Sequence, residues 1–427
     1  MTNQTFANIF DFICVFLSVV FFWSTTIVLI GLIKKEKKHP KAAKKLKFAV
    51  LICARNEESV IRLPVKSILL GTYPADKRDV IVLADNCTDN TAQKAREAGA
   101  IVWEKTIPSH GKGDVLTWGI NKVLADGSYD AISVFDADNI ASDRFFDEMN
   151  DALNDGEYVV TGRRHSSNAK ANVIAGWYTV YWDMMNELSN RVRTNLGLSG
   201  KLTGTGFAFL ISALGNEGWK THTMVEDVEF TVQTNIRGKR VAYVPKADYA
   251  DEQPVTAVYM WRQLRRWATG SWQVARSYCW PWLKGMFTHP SLRLFDSYFA
   301  ILTGMSVAFI LLFNVVALSV KLCFSQSDNS IAWLVFFLIL GFVFVMGWFT
   351  SISAVALSKK KRRPKWIAVA LFPIFSLILC GSVLYTLFFP TKTWKPIPHG
   401  TKVDDGVDPE ARQKARNTKA SAGNGEE

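Results

Sequence analysis

The 427-residue chain has only six cysteines, Cys14, Cys53, Cys87, Cys279, Cys323 and Cys380, and no two are spaced as CxxC or as a metal-ligand set. That argues against a zinc ribbon or a disulfide framework and for reduced, buried thiols. No repeat of fixed period runs through the sequence, so solenoids and propellers are excluded. The stretch ahead of the first apolar run, MTNQTFANIFD, has no Lys or Arg, and the run itself is too long for a cleaved leader. Positive charge is abundant, at a net +12, but it is not spread. Residues 34–47 hold eight Lys and one Glu, and residues 359–365 hold six basic residues and no acid. The remainder is close to neutral, so no basic stripe is left to follow a phosphate backbone, which argues against a nucleic-acid partner.

Each basic run abuts an apolar segment instead. Segments 12–33, 298–320, 331–357 and 366–389 are long and apolar enough to cross a bilayer, which takes about 20 helical residues. Basic residues favour the cytoplasmic side and the anionic lipid surface. The first run therefore places the N-terminus outside and the chain from Lys34 onward in the cytosol, and the second run agrees. The expectation is an integral protein of the cell membrane. It has an N-terminal span (1–33), a basic linker (34–47), a cytosolic α/β domain (48–253), interfacial helices rich in Trp (254–297), three spans (298–389) and a polar tail (390–427). Three C-terminal crossings would put that tail outside, whereas a turn at Pro373 would bring the Trp-containing stretch KTWKPIPHGTK (392–402) back to the cytosolic side; the end of the tail, NTKASAGNGEE, reads as disordered.

Within the cytosolic block, short β-rich runs alternate with helical patterns: FAVLICA (48–54), VIVLAD (80–85), AIVWEK (100–105) and DAISVFDAD (130–138). Such alternation predicts a mostly parallel sheet with helices on both faces. Ligands of these sheets gather beyond the carboxyl ends of the strands. Polar clusters stand at those ends: ARNEE after the first, ADNCTDNT after the second and DADN after the fourth.

Asp136 and Asp138, one residue apart at a strand end, suit a hard divalent cation that leaves positions open for phosphate oxygens. Turn and helix capping is the plainer role for such residues. Further on, VEDVEF sets Glu226 and Asp227 at the start of a helix, where the macrodipole favours carboxylates. QLRRW supplies Gln263, Arg266 and Trp267, a guanidinium suited to phosphate and an indole suited to a sugar face. The loop LTGTGF, with Gly204, Thr205 and Gly206, would let a substrate approach the backbone closely.

In the order ARNEE, DN, DAD, GTG, ED, QxxRW, these motifs resemble the membrane-embedded family 2 glycosyltransferases, which include cellulose, chitin, hyaluronan and poly-N-acetylglucosamine synthases. The resemblance covers roughly residues 47–272 and implies a GT-A nucleotide-sugar fold. It implies donor contacts from Arg55, Glu57, Asp85, Lys112, Asp136, Gln263, Arg266 and Trp267, and a Mg²⁺ or Mn²⁺ site at Asp136 and Asp138. It implies Asp227 as catalytic base with Glu226 beside it, and acceptor contacts from Gly204, Thr205, Gly206 and Trp267. The implied reaction is an inverting transfer from a UDP-sugar, glucose or N-acetylglucosamine, to a β-linked glycan acceptor. A single addition to a membrane lipid is the alternative. Only three spans follow the α/β domain and no FxVTxK-like gating segment is found, which departs from the processive synthases. A haloacid dehalogenase-type phosphatase also ends a strand on DxD, but Ile140 stands where Thr or Val is expected and QxxRW goes unexplained.

Overall fold

The computed structural model describes residues 19–20, 22–324, 330–358, 363–392 and 408–423. Eight strands form one sheet: β1 (Phe48–Ala54), β2 (Arg78–Asp85), β3 (Ile101–Lys105), β4 (Ala131–Asp136), β5 (Ile140–Ala141), β6 (Val159–Ser166), β7 (Phe207–Leu210) and β8 (Val241–Asp251). Their spatial order is β3, β2, β1, β4, β7, β6, β8, β5. The first four in that order are mutually parallel. Beyond them β7 runs antiparallel to both β4 and β6, β8 is parallel to β6, and β5 is antiparallel to β8. The fourth strand stops at Asp136, two residues short of the expected end, and Asp138 sits in the turn that follows.

The helices are α1 (Phe22–Ile33), α2 (Arg62–Leu69), α3 (Thr91–Glu97), α4 (Lys112–Asp126), α5 (Phe145–Asn154), α6 (Val173–Met184), α7 (Val192–Asn195), α8 (Glu226–Ile236), α9 (Ala257–Thr288), α10 (Leu292–Phe324), α11 (Ser330–Leu357), α12 (Trp366–Ala370), α13 (Phe372–Phe388) and α14 (Pro409–Gly423). A π-helical segment, Met185–Arg191, joins α6 to α7. Side chains alternate across each strand, so the two sheet faces bury different residues. Phe48, Val50 and Ile52 pack with Val65 and Ile68 of α2 and Phe146 and Met149 of α5. Ala49 and Leu51, with Ile81 and Leu83, pack with Leu116, Ile120 and Val123 of α4 and Phe230 of α8. Because both faces are covered, β1 is apolar along its whole length.

Among the described residues, Phe336–Leu357 of α11 is long and apolar enough to cross a membrane by itself, and Leu292–Thr303 with Met305–Phe313 of α10 qualifies as a pair bent by 49°. The apolar helices α1 and α13 are shorter, and residues 12–18 and 21 of the expected first span lie outside the described residues. The expected last span is broken at Leu371, just ahead of Pro373, which has no N–H to continue a helix. The expected interfacial helices are one continuous helix, α9, that carries Pro281 within it.

The tail departs from expectation. Rather than disordered, α14 is helical and packs on the sheet domain: Arg412 donates to Ala141 O at 3.0 Å and pairs with Asp143 at 3.1 Å, and Arg416 donates to Leu70 O at 2.6 Å. These contacts fit the alternative in which the last segment turns back, and not a tail held away from the sheet domain. The broken last segment accounts for the return. At its start Ala368 packs on Gly176 of α6, and at its end Thr391 N donates to Thr269 Oγ1 of α9 at 3.0 Å. The Trp-containing stretch near Lys392 falls mostly outside the described residues.

Candidate active site

The carboxyl ends of β1, β2 and β4 open into one cavity of about 670 Å³. Asparagines in the left-handed region shape two of its loops, Asn56 at φ 58° and Asn86 at φ 49°, a conformation that Asn tolerates better than most residues. Asn56 Oδ1 accepts from Thr88 N at 2.8 Å and so ties the two loops together. At their base Ser109 Oγ donates to Asp85 Oδ1 at 2.7 Å, and Arg55 pairs with the other oxygen at 3.7 Å.

Lys112 joins the motifs to each other. It opens α4, and its ammonium donates to Asp136 Oδ1 and to Gly204 O, the latter at 2.6 Å, with Glu226 Oε1 at 3.6 Å. Burial works against this charge, but Asp136 and Glu226 outweigh it and hold the ammonium above the usual lysine range. The neighbouring acids of α8 differ. Glu226 faces Lys112, and burial pushes its carboxyl up to about 7 against the opposing effect of that lysine. The Asp227 side chain makes no hydrogen bond or ion pair among the described residues, and a Cβ added at Gly204 would stand 3.9 Å from its Oδ2. Its carboxylate is thus open to the cavity, while that of Glu226 is held.

A raised carboxyl makes the native state bind more protons than the unfolded chain between the two pKa values. The Glu226 contribution to stability is therefore full below about 4.5 and is lost as pH rises to about 7. Glu226→Gln removes the titration, so its melting temperature should fall less steeply than that of the wild type across this window. Parallel curves in a pH series of thermal melts would contradict the assignment.

Of the sequence-predicted residues, Arg55, Glu57, Asp85, Lys112, Asp136, Asp138, Gly204, Glu226, Asp227, Gln263, Arg266 and Trp267 all line this cavity. Thr205 and Gly206 do not. Thr205 is fully buried, where its hydroxyl bonds Asn139 and accepts from Asp136 N at 3.0 Å, so it fixes the DAD turn. Gly206 is small for a structural reason: at φ 61°, a Cβ would lie 2.1 Å from the Tyr249 ring. Gly206→Ala should therefore lose about 2–4 kcal/mol, from overpacking and from the left-handed backbone together. A purified variant with an unchanged melting temperature would refute this. Trp267 is not a bare stacking platform either, since Tyr181 stacks on it at 5.7 Å and Trp182 meets it edge-on at 5.5 Å.

Sequence reasoning missed Arg164, Lys201 and Asp251, which also line the cavity. Arg164, from β6, donates to Asp251 at 2.9 Å and to Thr203 O at 2.7 Å, and its guanidinium lies 3.7 Å over the Trp182 ring. Burial raises Asp251 to about 6, against the pull of Arg164. The only signal for Arg164 was a pair of arginines closing a short β-rich stretch, VVTGRRH (159–165).

A sheet of this order, with acids from three strand ends and a helix start gathered beside an arginine helix, defines a GT-A nucleotide-sugar-binding domain. Comparison with known proteins agrees. The family described as "Glycosyltransferase like family 2" matches residues 45–270, and the chain belongs to that family. It is 29% identical over 236 residues to the probable glycosyltransferase YdaM of Bacillus subtilis, covering 53% of this chain and 55% of that protein. It is 26% identical over 281 residues to the poly-beta-1,6-N-acetyl-D-glucosamine synthase of Staphylococcus aureus, covering 63% of this chain and 66% of the synthase. The chain thus matches between half and two thirds of the length of these relatives. Among solved structures, the mannosyltransferase PcManGT of Pyrobaculum calidifontis, in complex with GDP-Man and Mn²⁺, shares the fold with a TM-score of 0.59 at 15% identity, over 88% of this chain and 99% of that one.

Proposed function

We propose that the chain is an inverting glycosyltransferase, moving a sugar from a UDP-sugar to a hydroxyl acceptor at the membrane. The observation that carries this reading is the convergence of Asp136, Asp138, Asp227, Arg266 and Trp267 on one cavity, where the Asp227 carboxylate makes no hydrogen bond or ion pair among the described residues. An acceptor hydroxyl is a weak nucleophile near neutral pH, and a positioned carboxylate takes its proton as it attacks the anomeric carbon. Lys112 and Arg266 then face the diphosphate that leaves, in a partly enclosed site where such charges act strongly. Glu57, Asp85 and Arg55 line the part of the cavity suited to the nucleoside.

Mg²⁺ or Mn²⁺ fits the donor set. Lys112 takes one oxygen of Asp136 and leaves the other, and Asp138 opens on the same cavity. No group of three or more His, Cys, Asp or Glu among the described residues could hold a metal by itself, which suits an ion shared with substrate phosphates. Bound there, the ion supplies neutralisation of the diphosphate charge.

The likeness to a poly-N-acetylglucosamine synthase supports UDP-N-acetylglucosamine, or UDP-glucose, as donor and a growing β-linked glycan as one acceptor. A lipid acceptor is the second reading, favoured by the apolar helices that wall the cavity. The basic run at residues 34–47 supports a cytosolic catalytic domain with the N-terminus outside. Incubating the purified protein with a panel of labelled UDP-sugars and Mg²⁺ or Mn²⁺, then measuring UDP release and sizing the product, tests the reading. Absence of UDP release with every donor and acceptor would end it.

A further inference from the structure

The cavity does not stop at the motifs. Past Asp227 it continues between Ser24, Val28 and Leu29 of α1, Ser297 and Ile301 of α10, and Met346 and Phe349 of α11. Leu29 and Phe349 line it and are still 55% and 60% exposed, so this end opens on the outer face of apolar helices. A ligand entering there meets hydrocarbon surface first and the carboxylates last.

Lys201 lines this cavity within electrostatic reach of both Asp227 and Arg193, the latter paired with Asp296 of α10. Lys112, Arg55, Arg164 and Arg193 each have a carboxylate: Asp136, Asp85, Asp251 and Asp296 respectively. The Lys201 ammonium makes no hydrogen bond or ion pair among the described residues, although it lines the cavity. Its position is nonetheless fixed. Asn190 of the π-helical segment clamps its backbone on both sides, accepting from Lys201 N at 2.9 Å and donating to Lys201 O at 3.0 Å. The next residue, Leu202, donates to Thr231 Oγ1, which in turn donates to Asp227 O. Lys201 and Asp227 therefore belong to one rigid frame. Burial and Arg193 press the ammonium below the usual lysine value, with Asp227 opposing them, and an incoming anion would relieve that cost.

We propose that Lys201 binds the phosphate of the acceptor, and that the acceptor is a membrane lipid with an accepting hydroxyl close to that phosphate. This rests on the glycosyltransferase reading above and selects among its acceptors. The lipid tail leaves through the opening at Leu29 and Phe349, the phosphate rests on Lys201, and the hydroxyl meets Asp227. In the transfer, the hydroxyl oxygen bonds to the anomeric carbon, its proton passes to Asp227, and the bond to the diphosphate breaks with its electron pair leaving on UDP.

The test uses full-length protein in nanodiscs with labelled UDP-sugar and four acceptors: phosphatidylglycerol, polyprenyl-diphosphate-linked N-acetylglucosamine, diacylglycerol and a soluble β-linked N-acetylglucosamine oligosaccharide. Label should enter the organic phase with one or both phosphate lipids, and which of the two identifies the source of the phosphate. Lys201→Met should raise KM for that lipid roughly 10- to 100-fold, the worth of one hydrogen bond to a charged group, while KM for the donor stays put. Lys201→Arg should restore most of the affinity, which a merely structural lysine would not require. Transfer that prefers diacylglycerol or the oligosaccharide, or a Lys201→Met variant that folds and keeps its lipid KM, overturns the proposal while leaving the glycosyltransferase reading intact. Failure of UDP release with all four acceptors overturns both.

Discussion

Asp227→Asn should lower kcat by about 10²- to 10⁴-fold, the usual worth of general-base assistance, while UDP still binds. The amide keeps the size and shape of the carboxylate but cannot accept the hydroxyl proton. Asp227 is suited to show a clean effect because its side chain has no hydrogen-bond or ion-pair partner among the described residues, so the substitution breaks no direct contact, although it removes a charge that Lys201 and Glu226 feel. The adjacent acid provides the control. Glu226 stands 3.6 Å from Lys112, and its replacement by Gln disturbs that contact as well as any chemistry. A fall in kcat for Asp227→Asn, with unchanged UDP affinity by calorimetry, separates a base from a donor-binding residue. Wild-type turnover in that variant would remove Asp227 from the role, whatever the effect of Glu226→Gln.

Much of the catalytic half of the molecule was legible because its signals are local. The parallel strands β1, β2 and β4 are buried on both faces, so each reads as an unbroken apolar run, and the polar residues that end such runs mark the ligand side of the sheet. What was not legible depends on partners far away in the chain. The end of β6, with Arg163, Arg164 and His165, is too polar to read as a core strand, yet it is fully buried because Glu187, Asp251 and Asp248 neutralise it. Those carboxylates lie on the π-helical segment and on β8, and no sequence window contains both partners. The GTG loop misled for a related reason. A glycine permits close approach without naming what approaches, and at Gly206 the neighbour is the ring of Tyr249. The same limit applies to α14, whose exposed-looking arginines become half-buried once Asp143 and the carbonyls of Ala141 and Leu70 receive them.

Lys112 should be the costliest side chain in the site to remove, for stability and for donor binding together. Lys112→Met keeps the aliphatic stem but leaves Asp136 and Glu226 facing each other without their shared counter-charge and strips Gly204 O of a donor. Breaking a fully buried pair from one side typically costs about 3–5 kcal/mol, and because Asp136 is 36% exposed while Glu226 is buried, the lower end applies, a drop of roughly 6–12 °C in melting temperature for a domain of this size. Stability and function can then be separated by a second substitution. Glu226→Gln removes one of the two stranded charges, so Lys112→Met with Glu226→Gln should recover a large part of the lost stability, a coupling expected only of residues in contact. UDP affinity should not recover, because the cation proposed to face the diphosphate is still missing. If the double variant melts no higher than Lys112→Met alone, the two side chains are not energetically linked. If it regains UDP binding, Lys112 acts on the fold of the cleft and not on the donor.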